Sequence, residues 1–321
     1  MSKLSAVILL LLLFSCENEV RVNLPNNGLP VVYCVLDMDD SVQYVRLARS
    51  FFPEEGYTGQ EHMTLERWNE PVEIYIEEWN DPGLPGVYDF YKSDTIRQDT
   101  GYFARPSFDL YETSLKPIPN TLYYIYLWFP ERNYYAMAST RTVDHTEILN
   151  PAAIPGRKIT FSDPDDFIVE LRPRLNAEFH QFNFNLTIEE HLGTGFNLDH
   201  YSFGGQAYEE NEGQILICLL NSDRFYEGLL SRYEPLTGED YRTVAGVDFV
   251  VYSYGSELRV YNRLYNNGSQ PWEIQSYSSF RNGFGLFSSK AKSRTANLEL
   301  SDLTYDILTG DSRYKQLKFV R

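Results

Sequence analysis

Residues 182–189 read Phe182-Asn183-Phe184-Asn185-Leu186-Thr187-Ile188-Glu189, a strict alternation of apolar and polar side chains. A strand points successive side chains to opposite faces, so this run puts its apolar groups on one face and its polar groups on the other. It predicts a half-buried β-strand. The same period runs through Val72, Ile74 and Ile76, which alternate with Glu73, Tyr75 and Glu77. Nearer the N-terminus, Pro30 to Leu36 predicts a strand, Asp37-Met38-Asp39-Asp40 a turn, and Val42 to Phe51 a returning strand. In the returning strand Val45 and Leu47 face one way, Tyr44 and Arg46 the other. Asn80 to Gly86 (NDPGLPG) is dense in turn residues. Thr121 to Phe129 (TLYYIYLWF) is a near-continuous apolar and aromatic strand, with Tyr134 to Val143 as its hairpin partner. Short strands divided by Gly and Pro predict a mainly β chain, with residues 29–147 forming an immunoglobulin- or prealbumin-like β-sandwich.

Beyond His145 to Gly156, which holds Pro151 and Pro155 and marks a domain boundary, strand and helix signals mix. Ile215 to Leu220 (ILICLL) is a continuous apolar run and predicts a strand buried on both faces. Phe225, Tyr226, Leu229, Leu230 and Tyr233 share a helical face, with Ser222 as N-cap and Pro235 ending the run. Val247, Phe249 and Val251 return to strand. Ser256 caps a second short helix with Leu258, Tyr261 and Tyr265 on one face, stopped by Gly268. Phe284 to Phe287 and Leu298 to Tyr305 predict late strands. Residues 156–321 therefore read as a β-rich α+β domain with two short helices.

The chain has 321 residues, 43% of them hydrophobic and 23% charged, enough for a sizeable core. Its 45 acidic against 28 basic residues give a net charge of −17. That balance argues against nucleic acid as a partner, because phosphates demand a basic face. It equally argues against a polybasic hold on anionic lipid. Three cysteines exclude a disulfide-stapled fold.

The first residues carry the information about location. Lys3 precedes the apolar run Ala6 to Phe14, which is too short to span a bilayer and fits the core of a signal peptide. Leu13-Phe14-Ser15-Cys16 resembles a bacterial lipobox. The expectation is a signal peptide over 1–15, lipidation of Cys16 and a polar tether over 16–28. More than one acyl chain on that residue anchors a protein stably. Glu17-Asn18-Glu19, acidic directly after the cysteine, resembles the surface-export signal of Bacteroidota lipoproteins. The expected location is the outer membrane, lipid-anchored and facing the cell exterior, with a periplasm-facing anchor as the alternative.

Three segments together resemble a known family. They are Tyr44 to Phe51 (YVRLARSF), Gly255 to Leu264 (GSELRVYNRL) and Gln270 to Ser289 (QPWEIQSYSSFRNGFGLFSS), the last holding a Gly-x-Gly-x-Phe element at Gly283, Gly285 and Phe287. With the lipobox, they resemble the Bacteroidota outer-membrane lipoprotein family known as domain of unknown function 4249. The resemblance implies a two-part protein on the outer membrane beside a TonB-dependent transporter or other barrel. It implies no known activity.

Candidate chemistry is sparse. Asp37/Asp39/Asp40 and Asp163/Asp165/Asp166 are clusters of the oxygen ligands that Ca²⁺ takes, but neither follows the EF-hand loop, and Asp also favours turns. His62, His145, His180, His191 and His200 show no zinc-site spacing. Cys34 and Cys218 sit in apolar runs and read as buried free thiols. No nucleophile elbow, Walker loop or dinucleotide-binding fingerprint occurs. No catalytic residue, metal site or cofactor is assigned. The 25 Tyr, 20 Phe and 4 Trp are the remaining excess, with Trp68, Trp79, Trp128 and Trp272 as candidate sugar-stacking or partner-anchoring groups. The expected role is a non-enzymatic binding or accessory subunit. The alternatives are a surface glycan-binding lipoprotein, with two or three coplanar aromatics in one groove, and a hydrolase whose residues converge only in the fold.

Overall fold

Strands with one apolar stripe must pair edge to edge and then bury the stripe, and this chain does both on a large scale. The computed structural model describes residues 28–51, 64–80, 83–93, 108–154, 156–162, 165–193, 195–208, 213–266 and 277–321. The signal and lipobox segment, His62, Asp163 and Trp272 lie outside them.

The first half contributes β1 (Pro30–Asp37), β2 (Val42–Phe51), β3 (Thr64–Glu66), β4 (Glu73–Trp79), β5 (Gly86–Lys92), β6 (Asp109–Ser114), β7 (Leu122–Phe129) and β8 (Tyr134–Arg141). The second contributes β9 (Glu147–Asn150), β10 (Lys158–Ile159), β11 (Phe167–Arg172), β12 (Phe179–Leu192), β13 (Gly195–Tyr208), β14 (Leu216–Leu220), β15 (Tyr241–Tyr254), β16 (Phe284–Leu300) and β17 (Phe319–Val320). Three α-helices are described: α1 (Ser222–Arg232), α2 (Ser256–Asn266) and α3 (Asp302–Gly310). The chain is mainly β with a helical minority.

A 14-stranded mixed sheet runs β13-β12-β15-β16-β1-β2-β6-β5-β4-β7-β8, with β17, β10 and β3 pairing beside β15, β16 and β2, and a separate three-stranded sheet runs β14-β11-β9. The first half is sandwich-like. β5 pairs with β4 through Ile74 and Phe90 and with β6 through Lys92 and Tyr111, so it turns the sheet back over itself. Val32, Cys34, Leu36, Val45 and Leu47 then face Ile74, Ile76, Ile125, Leu127 and Ala136 across one core. Met137 and Arg281 exchange backbone hydrogen bonds of 3.1 and 2.8 Å, which ties β8 to the segment entering β16.

The second core lies under the alternation of residues 182–189. Phe182, Phe184, Leu186 and Ile188 are buried with Val247, Phe249 and Val251 of β15. Phe225, Tyr226 and Leu229 of α1 and Val169 and Leu171 of β11 cover them. The wet side of β12 carries Asn183, Asn185, Thr187 and Glu189, as the period of two requires.

β16 joins the two cores. Residues from Phe284 to Lys290 pair in parallel with β1, and Lys290 to Leu298 pair antiparallel with β15. Phe287 is buried in the first core and Leu298 in the second. The Gly-x-Gly-x-Phe element has a packing reason here. Gly285 has φ +119°, and a Cβ on it would lie 1.8 Å from the Val32 carbonyl oxygen.

Four local expectations change. The N-cap of α1 is Asn221, whose Oδ1 accepts the Arg224 N–H at 3.1 Å, and Ser222 is the first residue of the helix. Phe284 to Phe287 and the start of the Leu298 to Tyr305 segment belong to one 17-residue strand. The rest of that segment is a third helix, α3, rather than strand: the Ser301 hydroxyl accepts the Thr304 N–H at 3.2 Å and starts the helix. Finally, β14 is not buried on both faces. It is an edge strand whose Ile217 and Leu219 point outward, because only its inner residues meet the second core.

Candidate binding surfaces

The acidic turn between β1 and β2 lines a shallow cleft of about 300 Å³ with Tyr252, Lys290 and Lys292. Its carboxylates are committed within the fold. Asp37 Oδ1 accepts the Asp39 N–H at 3.0 Å, and Asp37 Oδ2 pairs with Lys290 Nζ at 3.0 Å. Asp39 Oδ2 accepts the Lys292 N–H at 2.7 Å, while its Oδ1 meets His145 Nε2 at 3.0 Å. Asp40 Oδ1 accepts the Val42 N–H at 3.1 Å. The cluster braces a turn against β16. Near the second cluster, Asp166 Oδ1 accepts from Asn221 Nδ2 at 3.1 Å. Among the described residues, no group of three or more His, Cys, Asp or Glu is placed to hold a metal ion.

The remaining candidates scatter. His180 of β12 is fully buried, with Nε2 2.9 Å from Thr146 Oγ1. His191 stacks on Tyr241 at 4.5 Å, and His200 lies on the neighbouring strand. Cys34 and Cys218 are free thiols packed against different cores. Cys34 is buried, whereas Cys218 is only half-buried, because it sits on the edge strand β14; burial pushes both thiols above their ordinary pKa. Trp68 is buried against Phe129, with the Arg132 guanidinium 4.7 Å from its ring.

Two exposed surfaces do concentrate chemistry. The first is the outer face of β4, β5, β7 and β8. Alternation sends Ile74 and Ile76 inward and Glu73, Tyr75, Glu77 and Trp79 outward. In β7 the outward set is Tyr124, Tyr126 and Trp128. The pairing register aligns Glu73 with Trp128, Tyr75 with Tyr126, and Glu77 with Tyr124. Trp128 in turn faces Tyr135 on β8. Tyr75 and Tyr126 stack at 5.0 Å and 18°, Tyr124 and Tyr126 lie 6.3 Å apart at 25°, and Trp79 meets Tyr124 edge-on at 6.1 Å. Burial and the neighbouring carboxylates Glu77 and Glu73 hold the Tyr75 hydroxyl above its ordinary pKa. Tyr126 is raised by burial and by Glu77. The tyrosine rings are near-parallel, Tyr75 and Tyr126 across strands and Tyr124 and Tyr126 along β7, on an open sheet face instead of side by side in a groove. The sequence showed the wet parity of β4. The signal that β7 adds a row of aromatics to the same face was the parity of Tyr124, Tyr126 and Trp128.

The second surface is the outer face of β11 and β14. Ile168 pairs with Leu219, and Glu170 with Ile217. Ile217 is 66% exposed, Leu219 64%, Ile168 45% and Ile215 41%. At the far side of β11, Arg172 and Glu147 form an ion pair of 2.9 Å. The result is an aliphatic patch with a polar border. Reading ILICLL as a wholly buried strand missed it, because outward aliphatic residues on an uncovered edge strand look the same in sequence as inward ones.

No family model matches the chain, and no curated protein matches it. Among solved structures, similarity is found to a crystal structure of CBD12 from CALX1.2. The identity is 10%, the TM-score 0.18, and the match covers 82% of this chain and 99% of that one. A crystal structure of the calcium-binding domain CBD12 of CALX1.1 is similar at 10% identity and TM-score 0.16, covering 81% and 98% of the two chains. At these scores the likeness carries no argument about fold or function.

Proposed function

We propose that this chain is an outer-membrane lipoprotein, lipidated on Cys16 and facing the cell exterior, that works as a non-enzymatic accessory subunit beside a membrane barrel such as a TonB-dependent transporter. The anchoring half of the proposal rests on Lys3, the apolar run Ala6 to Phe14 and the lipobox ending at Cys16. Among the described residues, no helix is long and apolar enough to cross a membrane.

The observation that carries the subunit role is the aliphatic face of β11 and β14. Contiguous exposed aliphatic groups with a polar border mark interaction sites. Fully burying a Val, Leu or Ile side chain contributes about 1.5–3 kcal/mol, so completing the burial of four half-exposed ones contributes roughly 3–6 kcal/mol. A protein partner of matching apolar character gains that energy; water does not supply it.

The test is a pull-down from detergent-solubilised membranes with the full chain and with the double variant Ile217→Asp/Leu219→Asp. The wild type is expected to bring an integral barrel protein with it, and the variant to lose that barrel while staying folded. Wild type recovered alone, or a variant that retains the barrel, contradicts the proposal.

A further inference from the structure

We infer that the outer face of β4, β5, β7 and β8 is a docking surface for a basic, Arg- or Lys-bearing segment of a partner protein. This goes beyond the anchoring and subunit proposal and depends on neither.

Three features of the face point to that occupant. The first is its charge. Glu73 and Glu77 of β4 and Asp89 of β5 all point outward among the rings, with Asp89 paired to Tyr75 and Glu77 to Val87. The basic residues within these four strands are Lys92 and Arg141. Both are committed: Lys92 Nζ pairs with the buried Asp109 at 2.9 Å, and Arg141 Nη1 donates to the Asn120 carbonyl at 3.0 Å. The face therefore presents carboxylates whose counter-charge does not come from its own strands.

The second feature is the pairing of ring and carboxylate. The Trp79 indole Nε1–H donates to Glu77 Oε2 at 3.0 Å, which holds an exposed indole beside a carboxylate. A guanidinium settling there finds an aromatic ring and an anion at once, the combination that favours arginine most. The chain itself sets guanidinium groups over rings: Arg46 sits 4.0 Å from the Phe108 ring centre and Arg263 5.0 Å from that of Tyr208.

The third feature is the ring arrangement. Tyr75 and Tyr126 stack face to face, and Tyr124 lies near-parallel beside Tyr126, so these tyrosine faces are turned toward one another. Sugars stack on free ring faces, which this arrangement offers poorly. A second copy of the chain is disfavoured by its net charge of −17, and an anionic lipid surface by the carboxylates.

The probe is a fluorescently labelled twelve-residue peptide of alternating Arg and Ser, titrated by anisotropy against the purified full chain in neutral detergent. Any acidic protein attracts such a peptide weakly, so the comparison is between variants of equal charge. Glu73→Gln/Glu77→Gln removes two carboxylates from the face. Glu227→Gln/Glu239→Gln removes two exposed carboxylates elsewhere. The face variant is expected to bind at least about tenfold more weakly than wild type, and the control within about twofold. Trp79→Ala leaves the charge unchanged and is expected to weaken binding about fivefold, the loss of one cation–π contact. Equal losses in the face and control variants, an unaffected Trp79→Ala, or no binding by the wild type each overturn the inference. So does retardation by a neutral polysaccharide in affinity electrophoresis that is abolished by Trp79→Ala. The barrel pull-down is read on the other face and can fail or succeed independently.

Discussion

His180 shows how one buried side chain makes the whole molecule sensitive to acid. It is buried on β12 with Nε2 2.9 Å from Thr146 Oγ1, and that hydroxyl accepts from Ser253 Oγ at 2.8 Å. Its Nδ1 is buried without a hydrogen-bond partner. Burial lowers its pKa from 6.5 to about 4, so the folded chain keeps the imidazole neutral. The unfolded chain takes up the proton first as pH falls. The stability tied to this residue is therefore complete above pH 6.5 and is lost progressively as pH drops from about 6.5 to about 4, up to roughly 3 kcal/mol. Thermal unfolding of wild type and His180→Gln at pH 7 and pH 4.5 measures it. The wild type is expected to lose more stability than the variant between the two pH values; parallel losses contradict the assignment.

At the scale of elements, the strands tell which features the sequence carries. The alternation of residues 182–189 is legible because one face is dry and the other wet, and β4 is legible for the same reason. β14 was not legible, since an apolar run records no information about whether its own chain covers the outer face. α3 was hidden because the strand pattern of Leu298 to Leu300 runs straight into it, and the cap at Ser301 is a single hydroxyl. The aromatic face was half legible: its residues were readable as strands, but the stacking depends on cross-strand register. The parallel pairing of β16 with β1 joins residues some 250 positions apart in sequence, a distance at which local pattern says nothing. Its trace was Gly285, whose backbone conformation and closeness to Val32 exclude a side chain. Gly285→Ala is expected to cost more than about 3 kcal/mol, from the strained φ and the clash together. Denaturant unfolding checks this; a midpoint close to wild type contradicts the close approach.

For the whole molecule, β16 pairs with β1 and β15 and places buried side chains in both cores. The aliphatic face belongs to the second core and the acidic aromatic face to the first. A subunit held by one face can thus present the other. In the proposed role the body is moored at a membrane, and that mooring rests on Cys16. The direct measurement is metabolic labelling of expressing cells with radiolabelled palmitate, comparing wild type with Cys16→Ala and following each through membrane fractionation. Lipidation of Cys16 predicts a labelled wild type in the outer-membrane fraction and an unlabelled variant. An unlabelled wild type that fractionates with aqueous proteins would contradict it.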